Sequence, residues 1–453
     1  MFSLNRRLHM LNWRIIGSII GYALLMEGAL LVLPLIVDIF YGEQVWHAYL
    51  LTILCCLVCG AALAALKSKH SYFAKEGMIA VGLTWIILSF FGGLPFFFSN
   101  EIPSLVDCFF ETVSGFTTTG SSILTDVEAL SHASLFWRSF THWIGGMGIL
   151  VFLLAIVPRS NDRMMHVMRF DSLCTTFGTA GTGGFAIKNT SIAFYDSVYL
   201  EMVIAVFMLL YGINFNMFYF LLIKNVRSVF RNEELRMYLL IVACSVVMIA
   251  FNILSLYDGS LLQAFRYAFF QVATVISTTG YSTADFNLWP MFSKMILLTL
   301  MIVGACAGST AGGLKISRLT VLLKRTKLDL QRLLHPQKVD VITMDGKVID
   351  KNVVHQICSY FFCYILILVI ILLIVSLDNF DMESTVSACF SCLGNVGPGL
   401  GIAGPLGNFS MFSDLSKIVL SFAMLIGRLE IYPILIFLAA FLSHARRHRR
   451  SKD

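Results

Sequence analysis

The sequence predicts an all-α polytopic membrane protein. It comprises an N-terminal two-helix hairpin and four span–pore loop–span repeats around a central pore, with the first span of the second repeat missing. The 453 residues are 57% hydrophobic and only 13% charged, a composition typical of an integral membrane protein. Four Gly-rich loops, each preceded by a short apolar helix, recur among long apolar segments. Internal repetition of this kind indicates the architecture.

Nine segments are long and apolar enough to cross a hydrocarbon core of about 30 Å. They are 12–40, 47–66, 77–99, 133–157, 197–224, 237–256, 293–330, 353–377 and 415–441, the seventh being interrupted. They divide the chain into an N-terminal transmembrane hairpin and four pore repeats, the last of which begins with a cytoplasmic hairpin. The five predicted units are 1–70, 71–169, 170–236, 237–338 and 339–453.

The four loops have the composition of an ion pore. They read FETVSGFTTTGSSIL, FDSLCTTFGTAGTGGFAI, FFQVATVISTTGYSTADF and STVSACFSCLGNVGPGLG, and their aligned glycines are Gly120, Gly184, Gly280 and Gly397. Backbone carbonyls that face an axis can replace the hydration oxygens of a cation, and Gly permits the positive φ that this requires. A short helix that ends at such a loop directs its negative end toward the ion. A Gly kink or packing site in a helical bundle is the alternative for any single copy.

Charge and cysteine patterns fix the orientation and exclude other classes of protein. Basic clusters at 67–75, 159–169, 224–236, 315–338 and 446–452 mark the cytoplasmic side, so the loops face outward. Because the basic residues lie at span ends, the net charge of +6 does not indicate nucleic-acid binding. The eleven Cys show no metal-ligand spacing. Acidic residues near the loops would attract cations or form a solvated rim; they are Asp107, Asp126, Asp196 and Asp285.

The second repeat lacks its first span. Between span 133–157 and the loop that begins at Phe170, the sequence is PRSNDRMMHVMR, with three arginines and no apolar run. Clusters 159–169 and 224–236 should both face the cytoplasm, yet only span 197–224 separates them. A dozen extended residues reach at most about 40 Å, but crossing would cost about 2.5–3.5 kcal/mol per central charge and leave backbone groups unpaired. We expect the folded chain to carry a groove where the span belongs.

A Gly-rich break interrupts the seventh segment. The sequence GACAGSTAGGLKISR at 304–318 lies in the middle of this span. Non-helical backbone at membrane depth is tolerated where it contacts protein or a water-filled cavity, so we predict a gate below the loops, with a packing kink as the alternative. Arg428 in the last span, close to Glu430, could place a positive charge in the pore. A structural pair with Glu430 or a buried carbonyl is the alternative.

Other polar positions are assigned supporting roles. Glu111 is predicted to hold its loop from behind by accepting hydrogen bonds from loop amides, and Arg138 and His142 to be interfacial or helix-capping. Asp345-Gly346 between alternating apolar residues predicts a small hairpin. The preceding basic stretch LTVLLKRTKLDLQRLLHPQ would dock a soluble partner, lie on anionic lipid or form a solvated flank.

Six motifs occur in order: SGFTTTGSS, WIGGMGILVF, STTGYSTADFNLWP, GACAGSTAGGLKISR, LGNVGPGLG and IGRLE. Together they resemble the Trk/Ktr/HKT superfamily of potassium transporters, and the chain is similar to its bacterial TrkH type. The resemblance implies a multi-pass protein of the bacterial cytoplasmic (inner) membrane that takes up potassium through four pore loops. It implies a homodimer with a pore in each chain and a TrkA-like cytosolic nucleotide-binding regulator of the gate. Potassium is then a substrate, and no cofactor is implied.

The resemblance also assigns residues. It implies a potassium filter formed by backbone carbonyls of Thr118, Thr119, Gly120, Thr182, Gly183, Gly184, Thr279, Gly280, Tyr281, Asn395, Val396 and Gly397. It implies a gate formed by Gly304, Ala305, Cys306, Ala307, Gly308, Ser309, Thr310, Ala311, Gly312, Gly313 and Arg428. Gly at all four aligned positions resembles the potassium-selective members. TrkH-type chains carry a cytoplasmic loop and a full span before the second pore loop, and both are missing here.

Three hypotheses compete. The first is potassium uptake through the four loops. The second is a non-conducting remnant subunit, because the second repeat is truncated. The third, an intramembrane enzyme that uses Ser309 or His142, fails because no nucleophile and base form a plausible constellation in the sequence, so we predict that the chain is not an enzyme.

Overall fold

The computed structural model describes residues 12–66, 74–154, 170–335, 341–434 and 436. Within these residues, five helices are long and apolar enough to cross a membrane, or six if one bent pair counts as a single span. The chain is therefore an all-helical multi-pass membrane protein, as the composition predicts. The segment that should hold the first span of the second repeat, 158–169, lies outside the described residues, as do parts of several basic clusters.

The N-terminal unit is a helical hairpin. Helices α1 (Trp13–Leu30) and α2 (Val32–Tyr41) form one long apolar arm, and α3 (Trp46–Ala64) returns alongside it. The two arms approach closely because Gly21 faces Gly60: a Cβ on Gly21 would lie 2.7 Å from the Gly60 carbonyl oxygen. Small residues at a crossing allow such backbone contact within a membrane.

Fourteen further helices follow the hairpin in the described residues. They are α4 (Ala74–Phe98), α5 (Leu105–Phe116), α6 (His132–Leu154), α7 (Phe170–Gly181), α8 (Val198–Tyr211), α9 (Phe215–Leu222), α10 (Val226–Arg231), α11 (Glu233–Asn252), α12 (Leu261–Ile276), α13 (Met291–Val303), α14 (Ile316–Leu334), α15 (Lys351–Val375), α16 (Met382–Gly394) and α17 (Asp414–Arg428).

Four short helices, α5, α7, α12 and α16, lead into the Gly-rich loops. Side chains of Ser104, Ser260 and Asp381 cap three of them by accepting a hydrogen bond from a first-turn amide. The helices α5, α12 and α16 each pack against the long helix that precedes them in the chain, namely α4, α11 and α15. Helix α7 packs against α6 and α8. Because α6 belongs to the first repeat, the described residues contain no long helix of the second repeat before α7.

An open groove runs between α7 and α8. Thr175, Thr176 and Thr179 line its α7 wall, and Val203 and Phe207 line its α8 wall. Val203 and Phe207 are four residues apart and therefore lie on the same face of α8. The groove therefore lies beside the helix that leads into the second Gly-rich loop.

The prediction that 197–224 forms one continuous span is wrong in detail. It is broken into α8 and α9, which meet at an angle of 93°. The break is stabilised by the Gly-rich segment between α13 and α14: the Cys306 amide donates to the Gly212 carbonyl at 3.1 Å, and the Phe215 amide donates to the Gly308 carbonyl at 3.1 Å. These bonds satisfy backbone groups that a bend in a membrane would otherwise leave unpaired. Neither partner is close in sequence, so the break could not be inferred from local composition.

The predicted hairpin at Asp345-Gly346 is confirmed. Strands β1 (Thr343–Met344) and β2 (Lys347–Val348) pair antiparallel, with Thr343 opposite Val348. Asp345 and Gly346 both have positive φ, 51° and 77°, as a two-residue turn of this kind requires.

Candidate functional site

The four Gly-rich loops share one backbone conformation. We call 117–121 loop 1, 181–185 loop 2, 277–281 loop 3 and 394–398 loop 4. The second residue of each loop is a non-Gly residue at positive φ: Thr118 (53°), Thr182 (53°), Thr278 (55°) and Asn395 (56°). Two residues later each has a Gly at positive φ: Gly120 (84°), Gly184 (75°), Gly280 (91°) and Gly397 (108°). Between them, the amides of Thr119, Gly183, Thr279 and Val396 each donate to the carbonyl five residues earlier at 2.8–2.9 Å.

The loops contact one another in a closed ring. A Cβ on Gly120 would lie 2.2 Å from the carbonyl oxygen of Gly183 in loop 2, and one on Gly184 would lie 1.9 Å from that of Thr279 in loop 3. The series continues from Gly280 to Val396 of loop 4 at 2.3 Å, and from Gly397 back to Thr119 of loop 1 at 2.6 Å. Each Gly is thus required by its φ and by the approach of the next loop. We call this arrangement the glycine ring.

The ring lies at the carboxyl ends of four short helices and below an open cavity. Helices α5, α7, α12 and α16 end at the loops, so their negative dipole ends face the ring. All four ring glycines line the cavity above it. At its rim, a hydrogen bond from Asn189 lowers the pKa of Asp126, and one from Lys188 lowers the pKa of Glu128. Both rim carboxylates therefore stay ionised at neutral pH and favour cations.

Three of the four predicted filter triplets match the shared conformation, and the third is shifted by one residue. The residues of loop 3 that correspond to 118–120 are Thr278, Thr279 and Gly280. Tyr281 thus lies one residue beyond the shared triplet, and its buried side chain donates a hydrogen bond to the Thr175 carbonyl in α7 at 3.1 Å. Thr278 was missed, although aligning the four glycines strictly would have found it.

A buried ion pair holds loops 1 and 2 from behind. Glu111 accepts hydrogen bonds from the Ser122 hydroxyl and the Ile123 amide at 3.0 Å, so its predicted role is confirmed by the geometry. Its other partner is Arg138, whose Nε lies 2.6 Å from the Glu111 carboxylate. Arg138 also donates to the Ala186 carbonyl beyond loop 2 at 3.0 Å. The prediction that Arg138 is interfacial or helix-capping is wrong, because this side chain is buried.

We expect Glu111→Gln to lower the melting temperature of the detergent-solubilised protein strongly. Removing one member of a buried ion pair leaves an uncompensated charge and costs about 3–5 kcal/mol. The matched control is Arg325→Gln, which breaks the exposed pair with Asp329 at 2.7 Å and should cost no more than about 0.5 kcal/mol. Equal shifts of melting temperature in the two variants would contradict the bridging role of Glu111.

The segment between α13 and α14, 304–315, lies against the base of the glycine ring. We call it the intramembrane loop. The Gly312 amide donates to the Thr278 hydroxyl of loop 3 at 2.7 Å, and a Cβ on Gly312 would lie 2.4 Å from the Gly394 carbonyl of loop 4. Glu234 at the start of α11 accepts from the Ala307 amide at 2.7 Å. The loop is thus non-helical backbone that is mostly buried in protein, with Gly308 exposed.

Arg428 contacts this loop directly. Its guanidinium donates to the Thr310 carbonyl at 2.5 Å and to the Gly145 carbonyl of α6 at 3.1 Å. Glu430, the alternative partner considered from the sequence, pairs with Arg318 instead. Arg428 therefore joins the intramembrane loop to α6 through two backbone carbonyls.

His142 lies beside loop 2 and not at an interface. It is fully buried, and a Cβ on Gly183 would lie 1.7 Å from its Nδ1. Neither ring nitrogen has a hydrogen-bond partner among the described residues. The predicted interfacial role is therefore wrong.

Comparison with known proteins identifies the family. The family described as TrkH, cation transport protein, matches residues 47–169 and 160–446, which together are most of the chain. The chain belongs to the TrkH family. It is 30% identical to the Trk system potassium uptake protein TrkH of Escherichia coli (strain K12), over 94% of this chain and 98% of that protein. It is 27% identical to TrkG of the same strain, over 94% and 98%.

The fold agrees with the TrkH family as well. The crystal structure of the potassium transporter TrkH from Vibrio parahaemolyticus superposes with a TM-score of 0.85 at 30% identity, covering 94% of this chain and 98% of that one. The resemblance inferred from six motifs is confirmed. Because the TrkH family is one of cation transport proteins, the prediction that the chain is not an enzyme is also confirmed.

Proposed function

We propose that this protein takes up potassium across the bacterial cytoplasmic membrane through the glycine ring. The observation that carries the proposal is the closure of the ring, in which each ring glycine contacts a carbonyl of the next loop. Four backbone turns of the same conformation that meet in a closed ring are suited to direct carbonyl oxygens at a dehydrated cation. The family membership and the names of the E. coli relatives support potassium as the cation.

The coordinating groups are the backbone carbonyls of three residues in each loop. They are Thr118, Thr119, Gly120, Thr182, Gly183, Gly184, Thr278, Thr279, Gly280, Asn395, Val396 and Gly397. The four helix ends stabilise the cation electrostatically. The buried pair of Glu111 and Arg138 keeps loops 1 and 2 at a fixed separation. A selective site needs this rigidity, because a flexible ring cannot distinguish cations either by their size or by the field of its carbonyls.

The intramembrane loop and Arg428 form the gate. The loop contacts loops 3 and 4 at their base, so it is positioned to obstruct ion passage on the inner side of the ring. Arg428 adds a positive charge there and fixes the loop through the Thr310 carbonyl. Relatives named as parts of a Trk system support association with other Trk components. From the resemblance we infer that the component acting on the gate is a cytosolic TrkA-like nucleotide-binding regulator, and that the chain forms a homodimer in which each chain has its own pore.

Selectivity tests the proposal. Gly120→Ser introduces a Cβ only 2.2 Å from the Gly183 carbonyl, so loop 2 must shift and the carbonyl ring must widen or distort. We expect the variant to lose preference for rubidium over sodium. The measurement is uptake of both ions by a potassium-uptake-deficient strain, with expression matched by immunoblot. If the preference is unchanged, Gly120 is not part of the filter.

Gating gives a second test. Deleting 307–312, or replacing Arg428 with Ala, should raise the flux, because either change removes an obstruction or the contact that fixes it. Single-channel recording from a bilayer measures open probability and conductance. Lys224→Ala, at an exposed position beyond α9, is a control for loss of a positive charge. Values equal to those of the unmodified chain in both gate variants would refute the gate assignment.

A non-conducting subunit remains the second candidate function, and a specific observation favours it. Helices α5, α12 and α16 each pack against a long helix of their own repeat, whereas the preceding helix that packs against α7 is α6 of the first repeat, and an open groove lies at the side of α7. The TrkH family match is split into two pieces that meet at 160–169. The alignment with the E. coli protein extends over 481 positions although this chain has 453 residues, so the relative carries residues that this chain lacks. These findings support a deleted span before loop 2.

A further inference from the structure

We propose that the tip of the cytoplasmic hairpin is coupled to the intramembrane loop through the first turn of α11, with Asp345 and Glu234 as positioning residues. The proposal deepens the gate assignment and rests on it for its effect on ion flux. The coupling itself consists of hydrogen bonds between the hairpin, α11 and the intramembrane loop. It can therefore be tested without any measurement of transport.

Asp345 holds the amino end of α11. One carboxylate oxygen accepts from the backbone amide of Glu233 at 2.7 Å, and the other accepts from the Asn232 side-chain amide at 2.8 Å. Glu233 is the first residue of α11, and Asn232 is its cap. A carboxylate at this position satisfies an amide that the helix leaves unpaired and interacts favourably with the positive end of its dipole. The hairpin turn thus fixes the start of the helix.

The next residue of α11 holds the intramembrane loop. The buried carboxylate of Glu234 accepts from the Ala307 amide at 2.7 Å, inside the loop, and from the Ser317 amide at 3.1 Å, just after it. One oxygen atom of Glu234 therefore links the intramembrane loop to the start of α14. Glu233 and Glu234 are consecutive residues of one helical turn, so displacement of Asp345 changes the position from which Glu234 reaches the loop.

The hairpin is itself tied to α14, which continues directly from the loop. Lys324 of α14 donates to the Thr343 carbonyl at 2.7 Å and pairs with Glu233. Ile342 is buried against Val321 of α14. The base of the hairpin is thus anchored, while its tip residue Asp345 is exposed to the cytoplasm. The tip is the part of this assembly that a soluble partner can reach.

The chemistry of Asp345 indicates the kind of partner. Its carboxylate accepts from two neutral amides at the start of α11, and a cationic donor competes best with them because a hydrogen bond between two ionised groups is stronger. A protein surface that presents Lys or Arg to the hairpin would withdraw Asp345 from α11 and loosen the hold of Glu234 on the loop. The structure thus assigns the hairpin as the input of the gate and a basic protein surface as its ligand.

Two substitutions at Asp345 distinguish the effect of losing the side-chain acceptor from the effect of changing the backbone conformation of the turn. Asp345→Gly and Asp345→Asn both tolerate the φ of 51°, but only Asn keeps a side-chain oxygen that can accept from Glu233. The control is Asp329→Ala, which removes another cytoplasmic carboxylate of an ion pair that touches neither α11 nor the loop. Hydrogen–deuterium exchange on the full chain in detergent reports on peptides that cover 304–317.

We expect Asp345→Gly to accelerate exchange in 304–317 about tenfold, the factor that corresponds to loss of one charge-assisted hydrogen bond. Asp345→Asn and Asp329→Ala should leave it near the value of the unmodified chain. In a Glu234→Ala background, Asp345→Gly should add little, because the two residues act in series. Exchange that is unchanged in Asp345→Gly, or that rises equally in peptides of α5, would overturn the coupling. Faster exchange without altered rubidium flux would support the coupling and contradict the gate assignment.

Discussion

Restoring a span before Phe170 is expected to raise potassium uptake by at least about tenfold, equivalent to a shift of about 1.4 kcal/mol in favour of the conducting arrangement. Loop 2 is one quarter of the glycine ring. Its helix α7 packs against α6 of the first repeat, whereas α5, α12 and α16 each pack against a long helix of their own repeat. An apolar helix in the groove beside Thr176 and Val203 would stabilise α7 through close packing with small residues. The ring would then be held on all sides.

The insertion is a cytoplasmic loop followed by a span of about 20 apolar residues, placed directly before Phe170. Rubidium uptake is compared in a potassium-uptake-deficient strain, at matched expression. A Gly/Ser-rich insertion of equal length at the same point is the control, because it relieves the short connection without filling the groove. Equal uptake by the original chain and the span-restored version would show that the missing span does not matter.

Loss of uptake is the expected result of Gly184→Ala, measured in the chain or, for a stronger signal, in the span-restored version. The Cβ that this substitution adds would lie 1.9 Å from the Thr279 carbonyl oxygen. Because this neighbour is a backbone atom, no side-chain movement can remove the clash. Loops 2 and 3 must separate, which opens the ring at one of its four contacts. We expect uptake to fall by at least about a hundredfold, consistent with strain of about 3 kcal/mol at the site.

The matched control for this substitution is Gly259→Ala. Gly259 also has positive φ (73°), but nothing lies within 4 Å of its Cβ position. Both variants therefore carry the same backbone penalty of about 1 kcal/mol, and only Gly184→Ala adds the clash with loop 3. Wild-type uptake in both variants would mean that the glycine ring does not conduct. Equal loss in both would assign the effect to stability and not to the ring.

The sequence alone determined the class of protein, its family and the four loops. Apolar length indicates spans because a hydrocarbon core has a fixed thickness, and Gly-rich loops after short helices are a local pattern that survives in the sequence. The hairpin at Asp345-Gly346 was predictable for the same reason, since its turn depends on two adjacent residues. Each of these features is encoded within a few consecutive residues.

The tertiary structure alone decided which distant groups meet. The contact between Gly397 and Thr119 closes the ring across almost the whole repeat region, and Arg138, which pairs with Glu111, joins the first repeat to the second through the Ala186 carbonyl. The break between α8 and α9 depends on amides and carbonyls of the intramembrane loop. Backbone hydrogen bonds to a remote segment leave no trace in local composition, because every residue type offers the same carbonyl.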